Sequence, residues 1–160
     1  MLHFYKEYYK IIPGDVMKIV IDAAACPVTD ITLKIAEERN IPCLIVCDNA
    51  HYIVRETAET LVVDKGADSA DIKIANTVTR GDIVVTQDYG LAALILGKGG
   101  MALNQNGLIF TDENIENLLY SRFVGKKIRL SGGRTKGPPK RTSENDTAFI
   151  KALLKLLEGM

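Results

Sequence analysis

Four short runs of apolar residues, at positions 18–21, 41–47, 61–63 and 83–86, constrain the fold of this chain more than any other feature. They are β-branched and nearly free of polar interruption, which is the pattern of strands covered on both faces rather than on one. Between them lie segments whose apolar residues recur at helical spacing: Ile31, Leu33, Ile35 and Ala36 in one, Ile72, Ala75 and Val78 in another, then residues 89–96. Strand alternating with helix calls for a mostly parallel sheet with right-handed crossovers and helices on both faces, hence an α/β fold in three layers. With residues 101–103 the count is five strands, followed by a turn at 104–107 and the short run 108–110.

The boundaries are marked by familiar punctuation. Pro27 suits a first helical turn, and Thr111 with Asn114 has the placement of a helix start, the helix running to about Leu130. Residues 131–143 hold Gly132, Gly133, Gly137, Pro138 and Pro139, which exclude a regular element. Beyond them Phe149, Ile150, Leu153, Leu154, Leu156 and Leu157 form the apolar face of a C-terminal helix. That face needs cover, either by docking on the body or by a second copy of the chain in a homo-oligomer. The division expected is an N-terminal leader or extension at 1–16, aromatic-rich and closing on Pro13-Gly14, an α/β domain at 17–131, and a basic loop with its docking helix at 132–160.

At 160 residues and 47% apolar, the chain can bury a core without disulfides or a structural metal. Cys43 and Cys47, four apart in a strand, sit roughly 13 Å from one another, beyond disulfide reach. An odd cysteine count without metal-type spacing points to the reducing cytoplasm. The apolar runs are far shorter than the ~20 residues a membrane span requires, so no membrane partner is expected. The zero net charge hides an asymmetry: Arg122, Lys126, Lys127, Arg129, Arg134, Lys136, Lys140 and Arg141 fall in residues 121–141 with no acid among them, against an acidic remainder. Such a block is either a solvated face or a surface for a polyanion.

Ligands of open parallel sheets bind beyond the carboxyl ends of the strands. Asp22 ends the first strand, Asp88 follows the fourth by two residues, and Asp68 and Asp71 open the helix that feeds the fourth. Oxygen ligands grouped there suit Mg²⁺ or Mn²⁺. Each also has a structural reading. Asp88 can cap a helix, and Asp68 and Asp71 are favoured by the helix dipole. Asp82 reads as a turn residue, Cys26 as a small buried thiol, and His51 as an ordinary loop residue. Thr86, beside Asp88, can help to hold water or phosphate.

Several motifs, taken together and in order, resemble the YaiI/YqxD family of uncharacterised bacterial proteins. They are Asp22-Ala23-Ala24-Ala25-Cys26-Pro27, Gly66-Ala67-Asp68-Ser69-Ala70-Asp71, Gly81-Asp82-Ile83-Val84-Val85-Thr86-Gln87-Asp88, Gly100-Met101-Ala102-Leu103-Asn104, and Gly132-Gly133-Arg134-Thr135-Lys136-Gly137-Pro138 with Asp146 and Phe149. The resemblance covers nearly all of residues 17–157. It implies a PIN-like, Rossmann-like sheet with a metal-dependent phosphodiesterase site, in which Asp22, Asp71 and Asp88 carry the chemistry and hold Mg²⁺ or Mn²⁺, with Asp68 as a fourth ligand. The family's first motif usually reads Asp-Ala-Asp-Ala-Cys-Pro, and Ala24 stands here at the second Asp.

The expected function is therefore a cytoplasmic, nuclease-like protein acting on RNA or another nucleic acid, whose phosphates meet Arg134, Lys136, Lys140 and Arg141. The loss of a carboxylate at Ala24 supports an alternative: a nucleic-acid or nucleotide binding module that kept the fold without the chemistry. A third reading gives the work to protein contacts made by the C-terminal helix.

Overall fold

The computed structural model describes residues 16–24, 26–64, 66 and 69–159; residues 1–15 of the N-terminal extension and Asp68 lie outside the described residues. Six strands form one sheet: β1 (Ile19–Asp22), β2 (Cys43–Asp48), β3 (Glu59–Val63), β4 (Ile83–Val85), β5 (Met101–Leu103) and β6 (Ile109–Phe110). Their order is β3-β2-β1-β4-β5-β6, and every pairing is parallel except β5 with β6. The apolar runs account for five of these strands. The sixth is two residues long, too short to show a period, and exists because the turn at Asn104 folds it back on β5. Asn104 Oδ1 accepts from the backbone N–H groups of Asn106 and Leu108, at 3.0 and 2.9 Å.

The described residues also form five α-helices: α1 (Thr29–Glu38), α2 (Ser69–Thr77), α3 (Tyr89–Gly97), α4 (Asp112–Leu130) and α5 (Ser143–Glu158). α4 starts where Thr111 and Asn114 exchange side-chain to backbone hydrogen bonds at 3.1 and 2.9 Å. None of the described helices is long and apolar enough to cross a membrane.

Strand periodicity sorts the core into two halves. Ile19, Ile21, Cys43, Ile45, Ile83, Val85 and Leu103 face one way, against Leu33, Ile35 and Ala36 of α1 and Phe149, Ala152 and Leu153 of α5. Val20, Leu44, Val46, Val84 and Ala102 face the other way, against Ile74 of α2, Leu91, Ala92 and Ile95 of α3, and Ile115 of α4. This is why the strands read as continuous apolar runs, and it makes the molecule a three-layer α/β sandwich.

α5 docks on the first face, with Phe149 and Leu153 fully buried. Burial of each such side chain stabilises by about 1.5–3 kcal/mol relative to exposure. Gly107 permits that docking: its φ is +85°, and a Cβ there would stand 2.5 Å from the carbonyl oxygen of Ala148.

At the amino edge of the sheet Asp82 is wholly buried. It accepts from the backbone N–H of Lys18 at 3.0 Å and of Thr79 at 2.8 Å, and it pairs with the Lys18 ammonium. The turn role read from the sequence is present, and a buried ion pair is added to it.

Candidate metal and phosphate site

In this strand order the chain runs outward from β1 on one side and from β4 on the other, so the β1–β4 boundary is the switch point at which open α/β sheets bind ligands. Asp22 is the last residue of β1. Its backbone position is fixed against β2, because Asp22 pairs in register with Val46 and the next N–H, that of Ala23, donates to the Val46 carbonyl at 3.0 Å. By the alternation of the strand its side chain shares the face of Val20, toward α2 and α3.

The Asp22 carboxyl is 8% exposed. Oδ2 accepts a 2.9 Å hydrogen bond from the Thr86 hydroxyl, while Oδ1 is buried without a hydrogen-bond partner among the described residues. The Thr86 oxygen in turn accepts from the Asp88 backbone N–H at 3.0 Å. Asp88 Oδ1 accepts from Leu91 N–H at 3.1 Å, capping α3, and lies 3.5 Å from Nη1 of Arg122. The capping role and the site role of Asp88 thus coexist. Burial pushes the Asp22 carboxyl above the usual aspartate range; the Thr86 hydrogen bond and the nearby Ala24 backbone oppose that, and the Asp88 charge adds to it.

These groups open on a cleft of about 450 Å³ whose lining includes Asp22, Ala24, Asp48, Asp71, Asp88 and Arg122. Asp71 reaches it from the first turn of α2. Asp48 and Arg122 are site residues that the sequence reading does not find. A signal for Asp48 exists: it ends β2 as Asp22 ends β1, with the parity of Leu44 and Val46, which puts it on the same face. Arg122 has no such signal, since only the packing of α4 beside α3 brings it over the cleft.

Asp48 Oδ1 accepts from the His51 backbone N–H at 2.8 Å and lies 2.9 Å from His51 Nδ1. The His51 ring holds the Asp48 carboxyl below its ordinary range. His51, read as an ordinary loop residue, is therefore oriented by a carboxylate that lines the cleft.

Among the described residues no three carboxylate, histidine or cysteine side chains converge closely enough to cage a metal ion. The donor set still fits a hydrated one. Mg²⁺ keeps several waters and commonly takes one or two carboxylates together with substrate phosphate oxygens. The buried, unpartnered Oδ1 of Asp22, with Asp88 beside it, has that chemistry. A closed protein cage is not supplied, and Ala24, exposed at the cleft wall, marks where a further carboxylate would stand.

The basic residues divide. Arg134, Lys136 and Lys140 are exposed on the loop at 131–142. Arg141 is half-buried: Nη1 is bonded to Asp146 and Nη2 donates to the Gln105 carbonyl at 2.9 Å, so it ties the loop to the body. Cys26 is partly buried and burial raises its thiol pKa, in keeping with an inert thiol.

A family model described as "Uncharacterized BCR, YaiI/YqxD family" matches residues 20–159. The chain belongs to this family. A UPF0178 protein of Ruminiclostridium cellulolyticum is 53% identical over 142 residues, covering 89% of this chain and 93% of the relative. A second UPF0178 protein, of Exiguobacterium sibiricum, is 50% identical over 141 residues, 88% of this chain and 96% of its own. Among solved structures, a variant of Rae1 (YacP) from Bacillus subtilis overlays on 91% of this chain and 100% of its own, with 14% identity and a TM-score of 0.41. An overlay at that score carries no argument about activity.

Proposed function

We propose that this member of the YaiI/YqxD family is a divalent-cation-dependent phosphodiesterase of the PIN-like type that acts on RNA or another nucleic acid in the cytoplasm. The observation that carries the reading is the Asp22 carboxyl: buried at the switch point, charged at a cost, and holding one oxygen without a hydrogen-bond partner. Buried polar atoms are almost always satisfied, so an unsatisfied one at a ligand-binding edge marks a place for a ligand. Asp22 and Asp88 would hold a hydrated Mg²⁺ or Mn²⁺, with Asp71 in the lining of the same cleft. Such an ion, when bound, polarises a phosphate oxygen and lowers the pKa of its water. Arg122 stands where it can neutralise a phosphate at the mouth of the cleft, and Arg134, Lys136 and Lys140 extend the positive surface for the rest of a strand.

The test is cleavage of a labelled oligoribonucleotide with Mg²⁺, with Mn²⁺ and with chelator, for the native protein and for Asp22→Asn. Metal-dependent cleavage lost in the variant supports the proposal, and cleavage that survives in both the variant and chelator overturns it. Ala24 favours a second reading, a binding module without catalysis. In that case fluorescence anisotropy in a salt series shows binding without cleavage. For either reading, replacing Arg134, Lys136 and Lys140 with Ala should lower the slope of log K against log salt by roughly 0.7 to 0.9 for each phosphate no longer neutralised.

A further inference from the structure

A second hollow, of about 680 Å³, lies beside the acidic cleft, over the ends of the strands on the α1 and α5 face. It is larger than the cleft and within the range that small-molecule sites occupy. The two spaces are neighbours: Gln87 lines both, and the Asp48–His51 hydrogen bond joins a residue of the cleft to a residue of the hollow. Tyr52, Ile53, Pro138 and Pro139 give it broad apolar walls. Two of its lining residues carry a buried polar atom without a hydrogen-bond partner among the described residues, Oε1 of Gln105, an acceptor, and Nε of Arg141, a donor.

The pair is chemically specific. Arg141 is held still, its terminal nitrogens spent on Asp146 and on the Gln105 carbonyl, so its Nε–H cannot swing to another protein acceptor without breaking both. An unpaired buried donor and an unpaired buried acceptor, on two residues that line one hollow and are joined through the Gln105 carbonyl, ask for a ligand edge that carries one of each. A flat heterocycle with adjacent donor and acceptor, held between apolar surfaces, is the edge and shape of a nucleobase.

We infer that this hollow is a base-binding subsite, which receives the ring of a nucleotide adjoining the phosphate held at Asp22 and Arg122. The inference rests on the proposed nucleic-acid function and names the part of the substrate that the protein reads. Gln105 and Arg141 meet the ring edge, the two prolines and Tyr52 cover its faces, and Gln87 stands between ring and phosphate.

The experiment separates ring from phosphate. Adenosine and uridine, which lack phosphate, and ribose 5-phosphate, which lacks a base, are titrated into isotope-labelled protein followed by amide chemical shifts. Nucleosides should move the signals of Ala50 and Asn106, and ribose 5-phosphate should not. Gln105→Leu should weaken nucleoside binding roughly tenfold, the size expected for one buried hydrogen bond to a ligand. Tyr52→Ala, an exposed wall position, reads the same weakening if Gln105→Leu does not fold. Nucleosides that shift nothing at those positions, or that bind both variants as they bind the native protein, overturn the inference. Nucleoside binding without any metal-dependent cleavage upholds the subsite and counts against the phosphodiesterase alone; cleavage without nucleoside binding does the reverse.

Discussion

The Thr86 hydroxyl donates to Asp22 Oδ2 at 2.9 Å, joining β1 and the end of β4 across 64 residues of sequence. The opposite end of the same strand pair is closed by Lys18 and Asp82, also 64 apart. Both closures bury an aspartate, but they differ in charge. Asp82 has the Lys18 ammonium and two backbone N–H groups. Among the described residues Asp22 has no cation in its hydrogen-bond or electrostatic surroundings, has a second carboxylate nearby, and keeps an empty oxygen. The compensated aspartate serves the fold, and the uncompensated one is free to serve a ligand.

Removing the compensation at the structural end should be costly. Asp82→Ala leaves the Lys18 ammonium buried without its partner and the Thr79 N–H without an acceptor, and breaking a buried pair from one side costs about 3–5 kcal/mol. Urea denaturation should show a loss of that size.

At the other end the sign reverses. The folded-state pKa of Asp22 is raised above its ordinary value of 3.8, so the folded chain binds the extra proton more tightly than the unfolded chain does. Stability from this group is fully present below the unfolded pKa and is lost as pH rises through the folded one. Asp22→Asn, which carries no charge to desolvate, should therefore melt higher than the native protein at pH 7. The difference should shrink as pH falls toward 3.8. Thermal melts of the two proteins from about pH 3.5 to about pH 7.5 check this, and a variant that melts lower at neutral pH would contradict it.

Much of the architecture is legible in the sequence because covered strands leave continuous apolar runs; the residues of β1, β2, β4 and β5 announce themselves that way. β6 does not, since its two residues are held by a turn and a neighbour rather than by their own pattern. The same division holds in the site. Asp22 and Asp88 are legible from their places at strand ends, and Asp48 obeys the same rule one strand over. Arg122 and Arg141 are not. One is brought to the cleft by helix packing and the other is taken from the surface by Asp146, and neither event has a local sequence signal.

The hold of α5 on the sheet can be tested at one glycine. Gly107→Ala puts a Cβ into the backbone of Ala148 and asks an L-residue to keep φ near +85°. The dihedral alone costs about 1–2 kcal/mol, and the close approach adds to it. The expected result is a loss of more than about 2 kcal/mol in stability, with amide exchange of residues 143–158 accelerated ahead of that in β1 and β4. Uniform acceleration would mean that α5 and the sheet open as one unit.

Ala24 gives the sharpest test of the site, because the change there adds a function rather than removing one. Its side chain is exposed and lines the same cleft as Asp22 and Asp88, so a carboxylate can be accommodated without repacking. In the absence of metal, Ala24→Asp brings a third negative charge close to a carboxyl already disfavoured as an anion, and the melting temperature should fall. Mg²⁺ or Mn²⁺ should reverse that fall, since affinity for such ions rises with the charge count of the ligand set, and binding roughly tenfold tighter than in the native protein is expected. Calorimetry measures the affinity, and melts with and without metal measure the reversal, through the dependence of stability on a ligand that binds the folded state. If the native protein is a phosphodiesterase, the same variant should cleave faster at low metal concentration. A variant that gains neither affinity nor metal-dependent stability would show that the cleft does not hold a cation, whatever it does with phosphates.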